Sequence, residues 1–199
     1  MMGLKARAGG GSSIPTAPSG THVARCVRII DLGLQEGKFG VKHQVLVMWE
    51  LPNACIAEGD YAGEPYMLSI RYTLSLHEKA NLRRDLDAWR GKPLSDAEVD
   101  AGFDLHVMVG EPCMLSVVHQ PRKSGEGVVA AIKGVMALPS GMVCPEAFNP
   151  LLVFDQDNPD VDVLDQLPGW VKEAIQKAVP PAQPTDEEPP PLQDDEAPF

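Results

Sequence analysis

The sequence has few of the features that mark membrane, secreted or zinc-binding proteins. No run of 18 apolar residues occurs, so we expect no membrane span. The four cysteines contain no Cys-x-x-Cys pair and form no zinc-type cluster with histidine, which predicts free thiols in a reducing compartment. Residues 1–20 lack the apolar core of a signal peptide and predict a flexible arm.

Catalytic motifs are also missing from the sequence. It contains no Walker loop, no Gly-x-Gly-x-x-Gly, no Gly-x-Ser-x-Gly and no His-Glu-x-x-His. The five histidines are scattered, and no set of carboxylates stands out as a two-metal site. We therefore predict a protein without catalytic residues, metal ligands or cofactors, and an enzyme such as a nuclease is the last of the alternatives.

Positive charge is scarce overall, and its distribution is uneven. The net charge is −11, which by itself argues against a nucleic-acid-binding protein. Residues 1–144, however, carry 15 basic and 15 acidic residues, whereas residues 145–199 carry 2 basic and 13 acidic residues. The whole excess of acid lies in the C-terminal quarter, so the body can still carry a basic face.

Hydrophobic residues mostly recur with period two, the period of β-strands. One helix is predicted after the third strand, begun by a capping box of Ser75 and Glu78 and ended by Gly91. Ser95 caps a short second helix, and residues 168–178 form a last amphipathic helix with Leu167, Trp170 and Val171 on its apolar face. The predicted strands cover residues 21–31, 41–51, 66–76, 113–119 and 128–138.

This order predicts a mainly β protein: a five-stranded OB-fold-like Greek-key barrel with a helix between strands 3 and 4, plus a C-terminal helix and disordered tails. Other small β-barrels and α+β domains can share the order. The predicted organisation is a flexible arm, an OB-fold domain, an extension with the amphipathic helix, and a disordered acidic, proline-rich tail. These parts cover residues 1–20, 21–155, 156–178 and 179–199.

Nucleic-acid binding requires cations for phosphates and flat side chains for bases. Phe39 lies in a glycine-flanked turn, where burial is difficult, so a stacking role is favoured there. Trp49, Tyr66 and Tyr72 each share a strand face with aliphatic residues, so a core position remains open for each. The candidate nucleic-acid-binding residues are Arg25, Arg28, Lys38, Phe39, Lys42, Trp49, Tyr66, Arg71, Tyr72, Arg122 and Lys123.

The chain ends in an acidic tip, Asp194-Asp195-Glu196-Ala197-Pro198-Phe199, after a proline-rich spacer. The carboxylates can attract a basic rim on a partner protein, and the Phe199 ring can fill an apolar pocket. Proline limits the conformational entropy that the segment loses on binding. We therefore predict a tethered ligand for other proteins, with Asp194, Asp195, Glu196, Pro198 and Phe199 as its contact residues.

The tip resembles that of bacterial single-stranded DNA-binding proteins, which usually reads Asp-Asp-Asp-Ile-Pro-Phe. The body resembles a group of phage-encoded proteins that have an OB-fold and are assigned to single-stranded DNA binding. The resemblance implies a protein of the host bacterial cytoplasm that coats single strands during replication, recombination or repair and recruits partners through the tip. The similar stretches are residues 25–33, 49–51, 72–76, 79–80, 86–91, 110–113 and 167–171.

Two other functions remain open at this point. A strand-annealing or recombination-mediator protein would share the same features and could form homo-oligomers. A protein-interaction module could instead use the barrel to bind a host factor, with the tail mimicking DNA. Binding to single-stranded and duplex oligonucleotides distinguishes most of these alternatives.

Overall fold

A computed structural model describes residues 15–122, 125 and 127–180 of the chain. The fold is mainly β, as the sequence predicts, with six strands and few helices. The strands are β1 (Gly20–Gly37), β2 (Gly40–Cys55), β3 (Pro65–Thr73), β4 (Pro112–Pro121), β5 (Val128–Met136) and β6 (Leu152–Phe154). The helices are α1 (Asn81–Arg90), α2 (Asp96–Ala101), α3 (Val161–Gln166) and α4 (Gly169–Gln176), and a 3₁₀ turn spans Leu105–Met108.

All six strands belong to one sheet, with the order β3-β2-β1-β4-β5. The neighbours along this path are antiparallel, whereas β6 pairs with β1 in parallel, Ile29 opposite Val153. The edge strands β3 and β5 also approach each other, and α1 packs against both. The sheet is therefore strongly curved, and its two edges lie near one helix.

The central strand β1 bends at an irregularity between Asp31 and Gly33. Gly33 adopts a positive φ of 67°, and a Cβ there would lie 2.6 Å from the Gln156 side chain. Glycine meets both requirements, because it tolerates positive φ and leaves room for the neighbouring chain. Beyond the bend, β1 continues into the hairpin with β2.

Two apolar clusters cover opposite faces of the β1–β2 pair. Val45, Val47 and Trp49 belong to the first cluster, inside the curved sheet, together with Leu86 and Trp89 of α1. The second cluster lies on the outer face under β6, α3 and α4, and its members are Ile30, Leu32, Leu46, Met48, Leu152, Phe154, Leu167, Val171 and Ala174. Both faces of these strands are thus buried, which explains their nearly continuous apolar sequence.

Glu50 is fully buried in β2 and holds the segment that leads into β6. Its carboxylate accepts hydrogen bonds from the backbone N–H groups of Phe148 and Asn149, at 2.8 and 3.0 Å, and from the Asn149 side chain. A buried carboxylate is costly unless it is hydrogen-bonded, so this set of donors explains how the charge is tolerated.

The start of α1 differs from the prediction. The helix begins at Asn81 after Ala80, so Ser75 and Glu78 do not form its cap. Gly91 ends it in the left-handed conformation, as predicted, and the Ser95–Glu98 capping box of α2 is present. Strand β6 and helix α3, which are both short, were not predicted from the sequence.

Both ends of the described chain pack against the body. Ala17, placed by the sequence in the flexible arm, is buried in the first cluster, and its carbonyl accepts a hydrogen bond from His119. Val179 pairs with Leu34. The expected arm and tail otherwise lie outside the described residues. No helix in residues 15–122 and 127–180 is long and apolar enough to cross a membrane.

Candidate nucleic-acid interface

A basic groove opens beside the edge strand β3, and it is the main candidate site. Lys42 of β2 and Arg71 of β3, both predicted from the sequence, line it together with His77 and Lys79. All four side chains are exposed or half-exposed in this groove, whose volume is about 390 Å³. The remaining lining residues are Tyr72, Thr73, Ser75, Ala80 and Asn81.

The segment between β3 and α1 places His77 and Lys79 in the groove. The Ser75 hydroxyl accepts a hydrogen bond from the His77 backbone N–H, at 3.3 Å, and the His77 ring accepts one from the Lys79 N–H, at 3.2 Å. These contacts form a turn before the helix. Neither residue was predicted for the site, because the sequence pattern places both in the first turn of the helix.

The groove has a positive electrostatic character. No acidic side chain lines it within the part of the chain that the structure describes. The first turn of α1, which begins at Asn81, contains no acidic residue and no side-chain cap, so its N–H dipoles add to the positive potential. By contrast, Arg83 and Arg84 farther along α1 are paired with Asp87 and Asp85. These two arginines are thus largely neutralised.

The β1–β2 hairpin presents an exposed aromatic ring at its tip. Phe39 lies in the turn between Gly37 and Gly40 and is 81% exposed. The Lys38 ammonium lies 5.7 Å from the centre of that ring. Lys42, in the same hairpin, lines the basic groove. An exposed aromatic ring and a cation of the basic groove therefore lie on one hairpin.

Two of the predicted stacking residues belong to the core instead. Trp49 is 1% exposed and lies 5.6 Å from Trp89 between ring centres, while Tyr72 is 4% exposed. The Tyr72 hydroxyl donates a hydrogen bond to Asp85, and burial, followed by the Asp85 charge, raises the pKa of the hydroxyl. Neither ring can stack on a base in this structure. Tyr66 is half-buried and packs against the same cluster.

Arg25 and Arg28 are also held within the fold rather than in the basic groove. Arg25 donates hydrogen bonds to the backbone carbonyls of Gly110, before β4, and of Cys144 and Pro145, in the loop before β6. Its guanidinium is thus engaged and does not fit the predicted phosphate contact. Burial lowers the pKa of Arg28, and the charge of Glu50 acts in the opposite direction.

The other predicted residues lie away from the basic groove or outside the described chain. Arg122 is exposed in the β4–β5 connection and does not line the groove. Lys123 lies outside the described residues, as does the whole tip, with Asp194, Asp195, Glu196, Pro198 and Phe199. The predicted roles of these residues therefore stay predictions.

The arrangement suits a polyanion better than a small substrate. Cations line an open groove, and the exposed Phe39 ring lies on the hairpin that supplies one of them. Among the residues described, no group of three or more histidine, cysteine, aspartate or glutamate side chains could hold a metal ion. No protein-family model matches the chain, and the comparison with curated proteins gives no match.

Proposed function

We propose that this protein binds single-stranded DNA in the basic groove and acts without catalysing a reaction. The observation that carries the proposal is the convergence of Lys42, Arg71 and Lys79 in a groove that no described acidic side chain lines. The chain has 17 lysine and arginine residues against 28 acidic residues, and three of these cations line the same groove. Such a cluster is suited to phosphate contacts.

The proposal includes an OB-fold for the body. The strand order β3-β2-β1-β4-β5, with β3 and β5 approaching each other, supports a partly open barrel of this kind. The position of α1, between β3 and β4 in the chain and packed against both edge strands, supports it further. In OB-folds oligonucleotides bind near strands 2 and 3 and the loop between strands 1 and 2, and here these parts carry Arg71, Lys42 and Phe39.

Unpaired strands are favoured over duplex because of Phe39. A ring exposed at a hairpin tip can stack on a base only if that base is free of its partner. In duplex DNA the base faces are already stacked, so the ring would gain no contact there. Phosphate binding in the groove would then provide affinity, and the ring would provide the preference for single strands.

The acidic tip completes the proposed function, which is to coat single strands and to recruit replication, recombination or repair proteins. This part rests on the sequence Asp194–Phe199 and its resemblance to the tip of bacterial single-stranded DNA-binding proteins. The corresponding location is the cytoplasm of a bacterial host that a phage has infected.

Fluorescence anisotropy with labelled oligonucleotides tests the proposal. We expect tight binding to a single-stranded oligonucleotide and weak binding to the duplex of the same sequence. Affinity for the single strand should fall with salt, at a slope of about 0.7 per phosphate contact. Equal affinity for both forms at moderate salt would contradict the proposed function.

A further inference from the structure

A second groove lies on the outer face of the sheet, next to the basic groove. Tyr61 of the β2–β3 loop and Trp170 at the start of α4 line it, and Met48, Met67 and Arg28 also contribute. Its volume is about 460 Å³. We call it the aromatic groove. None of these five residues lines the basic groove.

Trp170 is the unusual residue of this groove. Its neighbours Leu167, Val171 and Ala174 are buried in the second apolar cluster, whereas Trp170 is 49% exposed. The sequence predicts Trp170 for the buried face of α4, and the structure corrects this. The other two tryptophans, Trp49 and Trp89, are buried. Tyr61 is 40% exposed, so two large rings line the groove with free surface.

The polar side chains of the aromatic groove can form hydrogen bonds with the edge of a flat ring. Arg28 Nε is fully buried in the wall of the groove, so the other polar side chains of the lining are the ones that can meet a ligand. Ser69, Glu64 and Asn149 also line the groove and offer further donors and acceptors. Its lining contains one cation, Arg28, and one carboxylate, Glu64, so a phosphate alone would find little net positive charge there. Aromatic surface combined with a few polar groups matches the chemistry of a nucleobase.

The two grooves are lined by neighbouring positions of β3. Arg71, which lines the basic groove, and Ser69, which lines the aromatic groove, lie on the same exposed face of this strand. Residues two apart on a strand are separated by about 7 Å. A strand whose phosphates lie at Arg71 can therefore place a neighbouring base in the aromatic groove.

We propose that the aromatic groove holds an unpaired base of the bound strand, stacked on Trp170 or Tyr61, with the exposed Ser69 hydroxyl contacting its edge. This inference rests on the proposed function, because it requires a single strand in the basic groove. It makes the C-terminal extension part of the binding site. It also gives the protein a second reason to reject duplex DNA.

Intrinsic tryptophan fluorescence tests the proposal, since a stacked base quenches an indole. We expect an oligothymidine to quench the emission of the full-length protein, and Trp170→Phe to remove the quenching. Trp170→Ala should weaken binding of the labelled oligothymidine, followed by anisotropy, by about 5- to 150-fold. Tyr61→Ala should weaken it to a similar or smaller extent.

Val143→Ala serves as the matched control. Val143 is 83% exposed and lines neither groove, so affinity and quenching should stay as in the unchanged protein. Thermal melting verifies that each variant folds, and Trp170→Phe keeps an aromatic ring if Trp170→Ala does not fold.

The possible failures are distinguishable. Binding by anisotropy without quenching, and with unchanged affinity of Trp170→Ala, would overturn the aromatic groove as a base site and leave the proposed function intact. Absence of binding by anisotropy would overturn both. Quenching by a peptide of residues 189–199, but not by oligothymidine, would assign the groove to the acidic tip and overturn the proposal.

Discussion

Among single residues, Phe39 differs most from the other predicted aromatic contacts. It is largely exposed, whereas Trp49 and Tyr72 are buried. We expect Phe39→Ala to weaken single-strand binding by roughly 1–3 kcal/mol, because one stacked base would be lost. Anisotropy titrations measure this change.

The control for Phe39 is the melting temperature of the same variant. An exposed side chain contributes little to the core, so the temperature should hardly change. Val107→Ala, an exposed apolar residue outside the basic groove, should affect neither measurement. If Phe39→Ala melts much earlier, its effect on binding is structural and the stacking role is wrong.

Sequence alone predicted the exposure of Phe39 but could not decide between the two faces of β2. The glycines on either side of the turn leave the ring without a packing partner. On β2, period two correctly groups Val45 with Val47 and Trp49. The alternate residues Leu46 and Met48 are equally buried, under β6 and α4. The alternation therefore identified one buried face of β2 but did not show that its other face is buried as well.

At the level of elements, the basic groove depends on three different segments. Lys42 comes from β2, Arg71 from β3, and Lys79 from the turn before α1. Replacing any of the three with alanine should lower affinity for single strands. Each replacement that removes a phosphate contact should also reduce the slope of log affinity against log salt by about 0.7. A salt series of titrations measures both effects.

Lys92→Ala is the matched control for this series. Lys92 is exposed beyond the C-terminal end of α1, and the groove lies at the other end of this helix, about 15 Å away. Its removal should leave the slope unchanged within error. If Lys92→Ala and Lys79→Ala reduce affinity equally, then only the net charge matters and the groove is not the site.

The short helix α2 provides a prediction about pH. Hydrogen bonds from the Ser95 backbone and hydroxyl, and then from Arg90, lower the pKa of Glu98 from 4.5 to about 2. A carboxyl with a lowered pKa stabilises the folded state above its unfolded pKa, and this contribution is lost as the pH falls. We expect stability to decline between about pH 4.5 and pH 2, and Glu98→Gln to reduce that decline. Urea unfolding at several pH values measures it.

Glu58→Gln provides the comparison for Glu98. Glu58 is exposed in the β2–β3 loop and makes no described ion pair, so its replacement should leave the pH dependence unchanged. Identical pH profiles for the unchanged protein and Glu98→Gln would show that the capping box contributes nothing to acid stability.

Ser75 and Ser95 were each predicted to cap a helix, and the structure contains only the second of these caps. Ser95 and Glu98 form a capping box, whereas Ser75 and Glu78 do not. The reason is tertiary: the Leu74 N–H still donates to the His43 carbonyl, so the chain at Ser75 is leaving a strand. Ser75 then accepts from His77 instead of Glu78. Local sequence contains the motif, but long-range pairing decides whether it forms.

For the whole molecule, the distribution of charge separates the body from the acidic C-terminal region. Residues 179–199 carry six acidic and no basic residues. They should compete weakly with phosphate for the basic groove, so deletion of residues 194–199 should leave DNA affinity unchanged or slightly higher at low salt. The same deletion should abolish binding to a partner of the replication or repair machinery. Anisotropy and a pull-down from host extract measure the two effects.

Removing Phe199 alone separates the two effects further. A buried terminal aromatic residue would dominate the partner contact, so most of the captured proteins should be lost while DNA affinity stays the same. An identical set of captured proteins with and without Phe199 would mean that the tip only adds charge.

The whole fold was predicted in outline rather than in detail. Long alternating segments indicated a mainly β protein, as found. Strand β6 was not predicted because three residues are too few to show a period. Its pairing with β1 also joins residues more than 120 positions apart. The burial of Ala17 likewise depends on distant neighbours that no local pattern contains.

The central position of β1 has a consequence for the motions of the molecule. This strand pairs with β2, β4 and β6 and contributes to both apolar clusters, so we expect the amide hydrogens of its buried middle to exchange with solvent mainly when the whole fold opens. Strand β3 has one hydrogen-bonded neighbour and lies at an edge, so it can open at a smaller free-energy cost. The two grooves lie along this edge. We therefore expect β3 and the grooves beside it to open locally while β1 keeps the rest of the fold intact.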